Sequence, residues 1–183
     1  MKIALVHDHL AQDGGAEKVL QAFQRIWPDA PTYVIVHDPK SANAAFKGKD
    51  IRTSFLQHWP GGVKHYQWFF PLMPTAVESY DLMEYDVVLS STASFAKGVI
   101  TRPDTLHICY CHTPTRYLWS DTHDYVQELE VNRLIKWFLP FFLTYVRLWD
   151  KVAADRVDRF IANSRLVQHR ITKYYNKSAD LIY

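Results

Sequence analysis

Two rhythms of apolar positions alternate along this chain, and their alternation predicts the architecture. The opening "KIALVH" (2–7) is apolar without polar alternation, the pattern of a parallel strand buried on both faces. A glycine-bearing turn, "DHLAQDGG", follows it. From Ala16 the rhythm becomes helical: Val19, Leu20, Phe23 and Ile26 fall at i, i+1, i+4 and i+7, and Pro28 stops the helix. Strand, turn and helix form the first half of a βαβ unit. Strand-like runs return at "TYVIV" (32–36), "DVVLS" (86–90), "LHICYC" (106–111), "RFIANS" (159–164) and "DLIY" (180–183), with room for crossover helices between them. The expected fold is α/β, a Rossmann-like, doubly wound, mostly parallel sheet.

Two stretches depart from this rhythm. "SFLQHWPGGVKHYQWFFPLMP" (54–74) mixes three Pro and two Gly with many aromatics, which predicts an irregular excursion with short helices whose rings cover the sheet. Residues 126–157 read as helical with an interruption at Pro140, and Leu139, Phe142, Leu143, Val146 and Trp149 supply the apolar spacing. Within it, "WFLPFFLTYVRLW" (137–149) is too short and too interrupted to span a bilayer. It is a core helix, or a surface lying in a membrane interface with Lys136 and Arg147 reaching the headgroups.

At 183 residues the chain can bury a core of its own, and residues 1–183 are expected to form one domain. A net charge of +2 with dispersed basic residues gives no electrostatic footprint for nucleic acid. Cys109 and Cys111, spaced i, i+2 on a strand, suit neither a CxxC turn nor a zinc site and read as reduced core thiols. The N-terminal apolar run is interrupted too soon by His7, Asp8 and His9 to be a signal peptide, so a cytoplasmic protein is expected.

In open α/β sheets, ligands bind at the carboxyl ends of the strands. After the first strand, Gly14 and Gly15 precede a helix whose unpaired N-terminal amides suit a phosphate. The pair lacks the GxGxxG and GK[ST] patterns, and a tight turn needs Gly anyway, so alone it points first to backbone geometry. Ser90, Ser91 and Thr92 read as helix caps or as contacts for a polar ligand. The next strand leads to His112, with Thr113 expected to cap a helix that has Pro114 in its first turn. His112 is thereby expected at a strand terminus facing a cleft, where imidazole suits a sugar hydroxyl and Arg116 a phosphate oxygen, although a lone His is more often structural. Asn163 and Ser164 read as caps of an amphipathic helix built on Leu166, Val167, Ile171 and Tyr174 or Tyr175.

Taken together, "HDHLAQDGGAEKVL", "YDVVLSSTASFAKGV", "YCHTPTRYLW" and "DRFIANSRLVQHRITKYY" resemble the N-terminal half of group 1 (family 4) glycosyltransferases with the GT-B fold, over essentially the whole chain. The resemblance implies an acceptor-side domain that works with a C-terminal donor domain of the same full-length protein, expected beyond Tyr183. The pair would transfer a sugar with retention from a nucleotide sugar to a glycan or lipid-linked acceptor in cell-surface polysaccharide or glycolipid synthesis. It implies a hexosyltransferase with no cofactor and no metal, inactive as an isolated domain. The aromatic and basic segments near 64–74 and 136–149 suit a lipid-linked acceptor and peripheral contact on the inner face of the cytoplasmic membrane. Carried onto matching positions, Gly14 and Gly15 would meet the donor diphosphate and His112 the transferred sugar, with Arg116, Lys97 and Thr113 as acceptor or phosphate contacts. The competing readings are a stand-alone glycan- or phosphate-binding module and, more remotely, a nicotinamide-dependent dehydrogenase. The dehydrogenase lacks its glycine fingerprint and has only Asp38 as a ribose-binding acid.

Overall fold

A computed structural model describes residues 1–128 and 132–183. Seven strands pair in parallel: β1 (Ile3–His7), β2 (Thr32–Val34), β3 (Ile51–Thr53), β4 (Val87–Thr92), β5 (Leu106–Cys111), β6 (Arg159–Ala162) and β7 (Ala179–Leu181). Their order is β3-β2-β1-β4-β5-β6-β7. The chain starts in mid-sheet, winds outward through β2 and β3, then returns to the other side of β1 and winds outward again to β7. The β1/β4 boundary is therefore the topological switch point, where connections leave toward opposite faces and a crevice opens at the strands' carboxyl ends.

Alternation along the strands feeds both faces. Ala4, Val6 and Val88 join one buried cluster, while Leu5, Val34 and Leu89 join another on the opposite face. A third cluster, including Cys109, Cys111, Phe160, Ala162, Val167 and Ile171, lies toward the β7 edge. Both thiols are free and buried, and burial pushes Cys109 up to about 12 and raises Cys111 as well.

Helix α1 (Gly15–Ile26) turns toward the sheet a face that coincides only in part with the one its apolar spacing predicts, with Phe23 packed against the core. Leu20 is buried as expected, but Ile26 is 63% exposed, and the remaining buried positions belong to Glu17 and Gln24. Each polar side chain has a partner on the sheet side, Gln24 donating to Thr32 Oγ1 at 2.9 Å and Glu17 facing β1. The excursion at 54–74 contains 3-10 turns at Phe55–His58 and Tyr66–Leu72 before α2 (Met73–Glu78). Phe70 packs edge-on against Phe95, Tyr117 and Phe142, whereas Trp68 stays 78% exposed, so the rings cover the sheet only in part.

After α3 (Arg116–Trp119) and α4 (Thr122–Glu128), α5 (Arg133–Asp155) runs unbroken through Pro140. Pro140 is exposed, so water can serve the Lys136 carbonyl that its missing N–H leaves unpaired, and no interruption results. Leu143 and Val146 are buried, each contributing about 1.5–3 kcal/mol of apolar burial. The helix also carries Asp150, a buried carboxylate that accepts from Lys97 Nζ (2.6 Å), Thr115 Oγ1 (2.9 Å), Trp119 Nε1 (2.8 Å) and Tyr175 Oη (2.9 Å). Those donors come from the 3-10 turn Ala96–Gly98, the start and end of α3, and the last turn of α6 (Arg165–Tyr175). One side chain thus ties four segments of the carboxyl-edge scaffold together. Among the described residues no helix is long and apolar enough to cross a membrane.

Candidate functional site at the β1/β4/β5 edge

At the switch point β1 and β4 are in register with His7 opposite Ser91, and β4 and β5 with Thr92 opposite Cys111. This pairing brings together side chains that lie far apart in sequence. His7 Nδ1 donates to the Ser91 carbonyl at 2.9 Å and lies 3.2 Å from Ser91 Oγ. On its other side Ser91 Oγ is 2.8 Å from His112 Nε2, and His7 Nε2 is 3.8 Å from Glu17 Oε1. A continuous polar chain therefore runs from Glu17 on α1 through His7 and Ser91 to His112.

Each member is fixed from behind. Burial opposes ionisation of Glu17, but hydrogen bonds and the charge of His7, its own backbone, and Gln12 outweigh that penalty and bring its carboxyl down to about 2. Its other oxygen accepts the Gly14 N–H at 2.9 Å, closing the N-terminus of α1. Asp8 accepts from Thr92 Oγ1 (2.9 Å) and from the amides of Ala93 (2.7 Å), Phe95 (2.8 Å) and Ala96 (2.8 Å). Burial works against its charge, yet His7, those amides and His9 hold its carboxyl below the usual range. The loop after β4 is in effect folded around the Asp8 carboxylate.

His112 is half-buried, just past the end of β5, and its amide donates to the Thr92 carbonyl at 2.8 Å. Burial and the proximity of His7 lower its pKa to about 4, against the opposing pull of Asp8 and Glu17, so the ring is neutral near pH 7. Gly15 opens toward free space: a Cβ there would meet nothing within 4 Å, whereas one on Gly14 would lie 3.0 Å from Glu17 Oε2. The backbone at the start of α1 is thus open to close approach at Gly15, while the Gly14 N–H is already committed.

Other expected contacts sit differently. Lys97 is 1% exposed and its ammonium is paired with Asp150 in the interior, so it faces the core and not the carboxyl edge. Arg116 is exposed, and its Nε donates to Asp121 at 2.7 Å. Thr113 does not cap α3; Thr115 holds the N-cap position, and Thr113 Oγ1 accepts from Arg170 of α6 at 3.1 Å. Ser90, Ser91 and Thr92 are strand residues, not caps, with Ser90 Oγ 2.9 Å from His107 Nε2. Ser164 does cap α6, accepting from the Val167 amide at 3.3 Å, with Val167, Ile171 and Tyr175 buried and Leu166 60% exposed. The local spacing of the sequence singles out neither Glu17, Asp8 and His7 nor Arg170. The signals that point to them are "HDH" at the end of a buried strand and a Glu three residues after Gly14.

Residues 13–183 match the family model described as Glycosyltransferase Family 4. The chain belongs to that glycosyltransferase family. Its seven-stranded parallel sheet with flanking helices is the Rossmann-like architecture of one GT-B domain. No curated protein matches the chain at a significant level.

Proposed function

We propose that the chain is the acceptor-side domain of a retaining hexosyltransferase. It transfers a sugar from a nucleotide-sugar donor to a glycan or lipid-linked acceptor in cell-surface polysaccharide or glycolipid synthesis. The observation that carries this reading is the convergence, at the switch point of a family 4 domain, of a neutral, half-buried His112 with the open helix start at Gly15. In this reading His112 contacts the transferred sugar, and the first-turn amides of α1 meet the donor diphosphate, where fixed dipoles stabilise the charge that develops as the nucleoside diphosphate departs. Arg116 and Thr113, with Arg170 behind it, stand at the same edge as acceptor or phosphate contacts. A second domain supplies the rest of the donor site, and no cofactor or metal is called for. In the full-length enzyme, His112→Ala is expected to reduce transfer by two orders of magnitude or more, on the order of what one strong transition-state contact contributes, with an unchanged circular dichroism spectrum. Wild-type-like transfer by that variant rejects the assignment.

A membrane-facing acceptor fits the outer side of α5. Trp137, Phe138, Phe141, Tyr145, Leu148 and Val152 are 55–69% exposed and form a stripe about 22 Å long on one helix face. We assign this stripe to a lipid surface, because it is dominated by the aromatic types that settle at membrane interfaces and is flanked by Lys136 at its N-terminal end. The protein is expected to float with vesicles containing anionic phospholipid at low salt, and Phe141→Asp to abolish flotation. A concentration-dependent dimer that Phe141→Asp dissolves, without flotation, assigns the face to a second copy instead.

A further inference from the structure

The hydrogen-bond chain leading to His112 dictates which of its two ring nitrogens carries the proton. A backbone carbonyl only accepts, so the 2.9 Å contact from His7 Nδ1 to the Ser91 carbonyl requires a hydrogen on His7 Nδ1. Ser91 Oγ lies 3.2 Å from that same nitrogen and meets an N–H, which leaves no lone pair there to receive the hydroxyl hydrogen. Among the described residues the other partner of Ser91 Oγ is His112 Nε2 at 2.8 Å. The hydroxyl therefore donates to Nε2. A neutral imidazole that accepts at Nε2 holds its hydrogen on Nδ1.

That second nitrogen is the one available to a ligand. Among the described residues no hydrogen bond reaches His112 Nδ1, and it is not among the buried unpartnered polar atoms. We propose that Ser91 is a positioning residue that holds His112 in its Nδ1–H form, so that the ring meets a sugar oxygen as a hydrogen-bond donor and does not act as a general base. This deepens the assignment of His112 to the sugar site and rests on that assignment. The specific consequence is a preference for an oxygen acceptor on the ligand, a hydroxyl or ring oxygen, at the position facing Nδ1.

Long-range proton–nitrogen correlation spectra of the imidazole rings, nine of them in this chain, in the nitrogen-15-labelled full-length protein at pH 7.5 test this directly, with His112 assigned by the signals that His112→Gln removes. The expected pattern for His112 is a protonated Nδ1 and an unprotonated Nε2. Ser91→Thr, which keeps the hydroxyl, retains that pattern; Ser91→Ala loses it. A protonated Nε2 in the wild type, or a Ser91→Ala spectrum identical to wild type, overturns the proposal. If Ser91→Ala does not fold, the wild-type and Ser91→Thr spectra decide by the same criterion. The measurement separates this inference from the transferase reading. An Nε2–H pattern combined with loss of transfer in His112→Ala removes the Ser91 role and leaves the transferase standing. The Nδ1–H pattern with full transfer in His112→Ala shows that the ring is positioned but meets no reacting sugar, and overturns the functional half of the proposal.

Discussion

Removing the Asp150 carboxylate isolates the energetic role of the buried hub behind the site. Asp150→Ala leaves Lys97, 1% exposed, without its counter-charge and deprives Thr115, Trp119 and Tyr175 of their acceptor. Breaking a buried pair from one side costs about 3–5 kcal/mol, because the surviving charge keeps its desolvation penalty. For a domain of this size that corresponds to a fall in melting temperature of about 6–20 °C. The pH dependence provides an independent check. Burial alone works against the Lys97 charge, but the charge and hydrogen bond of Asp150 outweigh it and hold the ammonium above the ordinary value of 10.5. A folded-state pKa raised above the unfolded one contributes stability that is present below pH 10.5 and is lost as pH rises through the folded value. In Asp150→Ala the burial penalty, the largest influence on Lys97, is opposed only by weaker contacts such as the Ser94 carbonyl, so the sign reverses and the variant's deficit relative to wild type shrinks between about pH 7 and pH 10. Thermal unfolding followed by circular dichroism at both pH values measures both effects. A variant melting within about 2 °C of wild type at pH 7, or a deficit that widens with pH, refutes the reasoning.

Two further perturbations probe a wall of the site and the packing behind it. Glu17, lowered to about 2 from 4.5 against the penalty of its burial, contributes stability that is complete above its unfolded value and is lost as the pH falls from 4.5 toward 2. Glu17→Gln should flatten that part of a urea-unfolding series by on the order of 3 kcal/mol, and an unchanged acid limb counts against the Glu17–His7 interaction. At Gly98 an added Cβ collides with the Trp149 indole, whose Nε1 is tied to Glu78 Oε1 at 2.8 Å, so Gly98→Ala should cost about 1–3 kcal/mol in the same assay. A variant as stable as wild type means the indole can move aside.

The strands are legible because central parallel strands are continuous apolar runs, and "LHICYC" coincides with β5 residue for residue. What escapes is structure set by partners distant in sequence. β3 is three residues long with Arg52 pointing outward, too short for a pattern, and it exists because Thr32, Tyr33 and Val34 of β2 pair with it. "TYVIV" shortens to Thr32–Val34, after which the Ile35 amide donates to the Asp8 carbonyl and an isolated bridge joins Leu10 and His37. Apolar periodicity reads α1 only in part because Glu17 and Gln24 share its sheet-facing side, a local rule broken where the site needs polar groups. Lys97 looks like a ligand for an anion because its counter-ion, Asp150, lies 53 residues away and no local spacing announces it.

The same distinction explains what can be read of the site. His112 stands out because it follows a buried strand, but its chemistry depends on Ser91 and His7, which the β1–β4 register places side by side. Two buried carboxylates brace the segments around that register: Asp8 gathers the loop after β4, and Asp150 gathers the 3-10 turn, α3 and α6. Both are saturated with donors, so they rigidify the edge and offer no free charge to a ligand. His112 is neutral with its pKa at about 4, so it cannot neutralise a departing diphosphate. In the proposed transferase that task falls to the open amides at the start of α1 and to cations at the rim, leaving the histidine to recognise the sugar through a single oriented N–H. The division predicts different signatures for the two walls: substitutions at Ser91 and His112 should act on discrimination among sugars, whereas those at the start of α1 should act on the response to the diphosphate.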